Sequence, residues 1–144
     1  MRIIIVSIIA LPLLLNPSER EDKQTVQALL YADGNPVSIE IENDKITGIK
    51  RIHPDADVSE LFVAPGLIDV QINGFVGVDF SGPDLTVEGV VKVTRALWKA
   101  GVTSYFPTVI TNDIGLIKKN FAVLAKAKED PEISKSISGF HLEG

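Results

Sequence analysis

The 144-residue chain has no cysteine. That excludes disulfide scaffolds, thiolate zinc sites, iron–sulfur clusters and cysteine nucleophiles. Positive charge is scarce: 14 Lys and Arg stand against 19 Asp and Glu, for a formal net charge of −5 and a sequence pI near 5.0. Phosphate backbones are gripped by clustered Lys and Arg, so no nucleic-acid partner is expected. There is no hydrophobic run of membrane-spanning length. The longest, Ile3 to Leu15, is broken by Ser7 and Pro12 and falls short of the roughly 20 residues a spanning helix needs. What remains is an ordinary globular composition, 45% hydrophobic and 23% charged with 11 Gly and 8 Pro. Collagen-like, disordered and low-complexity readings are therefore out. The chain is long enough for a core, but too short for a closed (β/α)8 barrel, which takes about 250 residues.

The apolar segment Ile3 to Leu15 follows Arg2, as a signal-peptide core would. The residues around Leu13-Leu14-Leu15-Asn16 make a poor cleavage site. The alternative is a buried strand, since Ile3-Ile4-Ile5-Val6 is β-branched. Residues 1–24 thus form an apolar segment and a charged linker, Glu19 to Lys23.

Residues 25–64 read as a small antiparallel β unit of two or three strands. Val37, Ile39 and Ile41 alternate with Ser38, Glu40 and Glu42, the period of a half-buried strand. Asn43-Asp44-Lys45 is a turn, and Ile46 to Ile52 returns from it. Asp33-Gly34-Asn35-Pro36 is a second turn, after a strand at Val26 to Tyr31.

From Pro65 the pattern becomes strand–helix–strand–helix–strand, an α/β architecture. Leu67 to Ile72 is an apolar-rich strand, followed by a Gly-rich loop from Gly74 to Gly82. Val87, Val90, Val91, Thr94, Leu97 and Trp98 share a helix face, with Thr86 as N-cap and Gly101 just past the C-cap. Val102 to Ile110 is the second strand. Thr111-Asn112-Asp113 caps a second helix, which buries Ile114, Ile117, Phe121 and Leu124 and stops at Asp130-Pro131. Ile137 to Glu143 is the third strand. The strands start evenly, at 67, 102 and 137. A regular βα repeat implies parallel strands with right-handed crossovers. A barrel and a doubly wound sheet both begin this way.

Reactive groups in parallel α/β folds sit at the C-terminal strand ends. Asp69, Gln71 and Asn73 are two apart, so strict alternation puts all three on one face. Thr108, Ile110 and Thr111 end the second strand. His141 and Glu143 share a face of the third, where an imidazole and a carboxylate can converge on a metal or a substrate. Plainer roles stay open for each: a loop anchor for Asp69, rim residues for the two amides, a satisfied core histidine for His141, a solvated carboxylate for Glu143. Gly74-Phe75-Val76-Gly77 lacks the spacing of a phosphate loop and of the dinucleotide fingerprint. It reads as a loop over the mouth of the fold. Lys118, Lys119, Lys126 and Lys128 read as solvated residues on the exposed face of the second helix.

Three motifs carry a family resemblance. Ala64-Pro65-Gly66-Leu67-Ile68-Asp69-Val70 resembles the start of the first barrel strand in the amidohydrolase superfamily. Most members continue as Asp-x-His-x-His, whose histidines bind a metal. Here the strand runs Asp69-Val70-Gln71-Ile72-Asn73-Gly74. That Gln-x-Asn replacement resembles the N-acetylglucosamine-6-phosphate deacetylase family. So do Ala100-Gly101-Val102-Thr103-Ser104-Tyr105-Phe106-Pro107-Thr108 and Gly139-Phe140-His141-Leu142-Glu143-Gly144. The resemblance spans Val37 to Gly144.

The resemblance implies the start of a (β/α)8 barrel over 65–144, three strands and two helices, preceded by part of a small β-sandwich over 25–64. It implies hydrolysis of the acetamide of an amino-sugar phosphate, giving glucosamine 6-phosphate and acetate. One divalent metal, zinc, is implied per subunit. Glu143 matches the metal-binding glutamate. Gln71 and Asn73 match positions held elsewhere by histidines, and neutral amides suit zinc less well than imidazole, so they are expected to orient water or substrate. His141 and Asp69 would support these groups from behind. No catalytic residue is expected within this chain, because the family's general acid/base aspartate and its metal-binding histidines come later. The chain is therefore expected to be a piece of a longer protein, inactive alone, weak in zinc binding and prone to aggregate through its open sheet edge. A homodimer in the cytoplasm, where the substrate is made, is expected; export through residues 3–15 is the opposing reading. A relative acting on N-acetylgalactosamine 6-phosphate and a truncated non-catalytic binding chain are the alternatives. Cyclic-amide hydrolases and deaminases of the superfamily fit less well, since they use the His-x-His pair.

Overall fold

The computed structural model describes residues 2–5, 23–53, 58 and 61–144. They fall into two compact units, Met1–Pro65 and Gly66–Gly144.

The first unit is one five-stranded sheet. Its strands are β1 (Arg2–Ile5), β2 (Lys23–Leu30), β3 (Pro36–Glu42), β4 (Lys45–Arg51) and β5 (Leu61–Ala64), in the order β1-β5-β2-β3-β4. The alternation in β3 does what its period dictates: Val37, Ile39 and Ile41 are buried with Ala28 and Val63. Between β3 and β4, Asn43 and Asp44 both take positive φ (50° and 60°). Such two-residue turns match the twist of a hairpin, and Asn and Asp tolerate the left-handed region better than other side chains. The edge strand β4 exposes Ile46 and Ile49 but carries Lys45, Lys50 and Arg51, charges that discourage further strand pairing. The expected two or three antiparallel strands are extended by β1 and β5. These pair parallel to each other, and β5 pairs parallel to β2. The short β5 has no alternation to announce it. Within the apolar run, Arg2–Ile5 is strand. The rest of Ile3 to Leu15, where the export reading falls, lies outside the described residues, as does most of the linker. Among the described residues no helix is long and apolar enough to cross a membrane.

The second unit is α/β. Strand β6 (Leu67–Ile72) leads through a small hairpin, β7 (Gly74–Phe75) and β8 (Val78–Asp79), into α1 (Val87–Lys99). Then come β9 (Val102–Ile110), α2 (Ile114–Ala127) and β10 (His141–Glu143). The main sheet has the order β10-β9-β6, with both pairings parallel. Helix α1 begins where its cap dictates: the Thr86 hydroxyl accepts from the Gly89 N–H at 3.1 Å. It ends with Gly101 at φ 89° just past Ala100. Asp113 caps α2, accepting from the N–H groups of Gly115 and Leu116. Val90, Val93 and Leu97 of α1 and Leu124 and Ala127 of α2 enclose Tyr105 and Val109 of β9, together with Phe80, Leu85, Ile133 and Ile137.

The structure corrects the sequence reading of this unit in three places. The Gly-rich stretch is a β-hairpin rather than a plain loop, turning at Val76 (φ 47°) and Gly77 (φ 82°). Ile114 is exposed, because it lies about 120° around the helix from Asn120, outside the arc that also holds Leu124 and Ala127. Asn120 is fully buried instead, and its Nδ2 donates to the Gly82 carbonyl at 3.1 Å. The third strand is short: Ile137 makes one isolated bridge to Tyr105, and the ladder resumes only at His141.

Candidate functional site

The three parallel strands deliver their C-terminal ends side by side. Register pairs His141 with Thr108 and Glu143 with Ile110 on β9; on the other side, Ile72 of β6 pairs with Pro107. Gln71 and Glu143 therefore stand on the two strands flanking β9, a span of two strand spacings or roughly 10 Å of backbone. Their long side chains close it. Gln71 Nε2 donates to Glu143 Oε2 at 2.8 Å. The two residues are 72 apart in sequence and both are exposed at the strand ends.

Each partner is held by its own surroundings. The Gln71 backbone N–H donates to Asp69 Oδ1 at 3.1 Å, so Asp69 fixes the strand backbone that carries the amide. Thr111 Oγ1 donates to the Glu143 carbonyl at 3.2 Å. Ser81 braces the middle strand: its hydroxyl accepts from the Ile110 N–H at 3.0 Å, while its own N–H donates to Asp79 Oδ1 at 2.8 Å. Ser81 was invisible in sequence, because nothing in a Gly-rich stretch marks one serine as the brace of a strand 29 residues on.

Asn73 departs from the expected arrangement. The register of β6 on β9 shifts between Asp69 and Ile72. Three steps on β6 match two on β9, the mark of a bulge. Asn73 lies beyond both the bulge and the strand, and its carbonyl accepts from the Phe80 N–H at 2.9 Å, closing the hairpin. Among the described residues no hydrogen bond joins its side chain to Gln71 or Glu143. His141 is half-buried opposite Thr108, two residues before the carboxylate. Of the five residues singled out, the structure joins Gln71 directly to Glu143 and Asp69 to Gln71. His141 stands on β10 two residues before Glu143, and Asn73 just past the end of β6.

Chemically, this is a surface carboxylate with one oxygen held by an amide donor, at the open end of a parallel sheet. The other oxygen can meet a cation or a hydrogen-bond donor. A catalytic zinc takes three protein ligands. Among the described residues no three His, Asp or Glu side chains come together in a metal-holding group. Glu143 could offer one ligand, and the described residues alone do not complete such a site.

No protein-family model matches the chain. Over 89 residues it is 40% identical to N-acetylglucosamine-6-phosphate deacetylase of Rattus norvegicus and 37% identical to that of Danio rerio. Each match covers 61% of this chain and 22% of the relative, so the chain spans about a fifth of the length of these curated relatives. The crystal structure of N-acetylglucosamine-6-phosphate deacetylase from Pasteurella multocida superposes with a TM-score of 0.62 at 26% identity, over 84% of this chain and 34% of that one. In sequence and in fold, the chain resembles part of these enzymes.

Proposed function

We propose that the chain is the N-terminal part of a deacetylase that hydrolyses the acetamide of N-acetylglucosamine 6-phosphate. In that reading β6, β9 and β10 are the first three strands of a (β/α)8 barrel over residues 65–144. The preceding five-stranded sheet, whose strands lie between Arg2 and Ala64, belongs to a small β-sandwich. The observation that carries the proposal is the Gln71–Glu143 hydrogen bond across the C-terminal strand ends, where barrel enzymes keep their chemistry. The similarity of the chain to named deacetylases supports it.

Hydrolysis adds water across the amide, breaking the C–N bond to release acetate and a free amine. Glu143 is assigned as one ligand of a divalent metal, zinc, whose role when bound is to acidify water and polarise the carbonyl. The remaining ligands and the general acid/base come from outside this chain. Gln71 holds the Glu143 carboxylate in one orientation. Asn73, at the rim, orients substrate or water. Asp69 and His141 support the strands that carry them. The full protein is proposed to act as a cytoplasmic homodimer.

The test is a chimera in which the aligned 89-residue segment of the rat deacetylase is replaced by the corresponding stretch of this chain. The proposal expects acetate release from N-acetylglucosamine 6-phosphate in excess of that from N-acetylgalactosamine 6-phosphate. The reverse preference assigns the epimer instead. A folded chimera that turns over neither substrate contradicts the proposal. The 144-residue chain alone, assayed with added zinc, is expected to release no acetate.

A further inference from the structure

Of the four lysines read as solvated, Lys118, Lys119 and Lys126 are exposed, and Lys128 alone is half-buried. Lys126 pairs with Glu129 at 2.6 Å at the surface, but Lys119 Nζ donates to the Pro83 carbonyl at 2.6 Å and Lys128 Nζ to the Ile137 carbonyl at 2.7 Å. Lys128 is the informative one, because the chain beyond Ile137 leads directly to Glu143.

The chain between the end of α2 and β10 is pinned to β9 at Tyr105 and at its neighbour Ser104, whose hydroxyl hydrogen-bonds that of Ser138. Tyr105 donates its N–H to the Ser136 carbonyl at 2.8 Å and accepts from the Ser138 N–H at 3.0 Å. No ladder pairing is then made until His141 pairs with Thr108. Gly139 and Phe140 cross this gap, and β10 beyond it is three residues long and paired to β9 alone. Beyond its short ladder and the bonds of Thr111 and Gln71 to Glu143, this edge strand has little to fix its position. Lys128 supplies the fixing contacts from the helix layer. Besides its bond to Ile137, its ammonium sits 5.8 Å from the centre of the Phe140 ring, within range for a cation–π attraction. Phe121, also on α2, meets Phe140 edge-on at 6.0 Å. One half-buried lysine thus grips both ends of the unpaired crossing, and Glu143 stands just beyond it at the end of β10.

We infer that Lys128 is a positioning residue for Glu143: by tying Ile137 and Phe140 to the end of α2, it sets the place of β10 and with it the Gln71–Glu143 hydrogen bond. Its functional weight rests on the proposed role of Glu143, but its geometry does not. Lys128 reacts with nothing and acts only through the strand.

The test reads that hydrogen bond without substrate or metal, so it stands apart from any failure of the deacetylase reading. In the 144-residue chain, the side-chain amide resonance of Gln71 is recorded by nitrogen–proton NMR at fixed pH. Glu143→Ala gives the position of that resonance when the bond is gone. Lys128→Met keeps the aliphatic stem and removes the ammonium. It is expected to move the Gln71 signal at least halfway to the Glu143→Ala position, while the backbone signals of α1 and α2 stay in place. Lys128→Arg keeps a cationic donor and is expected to restore the original position. Lys126→Met, which removes only a surface pair, is expected to leave the signal unmoved. An unmoved Gln71 signal in Lys128→Met overturns the inference. So does collapse of the whole spectrum in that variant, because Lys128 would then hold the fold rather than the strand.

Discussion

At the scale of single residues, Tyr105 is the largest fully buried side chain among the described residues. It is fully buried on β9, its ring stacks on Phe80 at 6.3 Å, and its hydroxyl lies 2.7 Å from Thr94 Oγ1. Thr94 Oγ1 in turn donates to the Val90 carbonyl at 2.9 Å, so the phenol is the donor to Thr94. The two ends of this pair are not equivalent. Tyr105→Phe leaves Thr94 with its bond to Val90 and is expected to cost about 1 kcal/mol. Thr94→Val strands a buried hydroxyl and is expected to cost more, up to about 3 kcal/mol. Denaturant unfolding of the two variants checks that order. Burial also pushes the Tyr105 pKa up to about 12, against an ordinary 10.0. The unfolded chain then loses its proton first, so stability is full below about pH 10 and falls by about 2 kcal/mol as pH rises through 12. Unfolding midpoints across that range test this, and Tyr105→Phe should abolish this contribution.

At the scale of elements, the hairpin between β6 and α1 carries avoidable strain. Val76 sits at φ 47° in its turn, a region that β-branched residues rarely occupy, and its carbonyl is held by Lys92 Nζ at 3.0 Å. Val76→Asn creates the Asn-Gly pair such turns favour and is expected to stabilise the chain by about 1 kcal/mol, read as a rise in thermal midpoint. The cap of α2 gives the opposite sign: Asp113→Ala should cost about 1 kcal/mol by the same measurement. These two elements differ in how far sequence announces them. A cap is local, and Thr86 and Asp113 stand one residue before their helices. The alternation of Val37, Ile39 and Ile41 is equally local, since a period of two needs no partner to be read. The hairpin was hidden, because Val76 is a poor turn residue and its strands are two residues each. Asn120 and Lys128 were hidden for a different reason. Their partners, Gly82 and Ile137, are brought to them only by the packing of α2, and a polar residue on a helix looks solvated until something covers it.

At the scale of the whole chain, no further strand among the described residues pairs with either edge of the three-stranded parallel sheet. Leu67, Ile68 and Val70 on β6 and Leu142 on β10 are more than half exposed. Parallel sheets are ordinarily covered on both faces, and unpaired apolar edges recruit other chains. The isolated chain is expected to associate reversibly with rising concentration, and Val70→Lys to suppress this; sedimentation velocity distinguishes the two. The candidate site has the same dependence on assembly. The motifs that bear Gln71 and Glu143 were legible in sequence, but their contact was not, because it requires β10 and β6 to take opposite sides of β9. The bulge that sets Asn73 apart could not be read either, since register is a property of two strands together. The central claim is that the Glu143 carboxylate at this contact is the working group of the chain, and the most direct test is Glu143→Gln within the deacetylase chimera. The account predicts that kcat for N-acetylglucosamine 6-phosphate falls by about 100-fold or more with the fold retained. A Glu143→Gln chimera within twofold of its unmutated parent would contradict it.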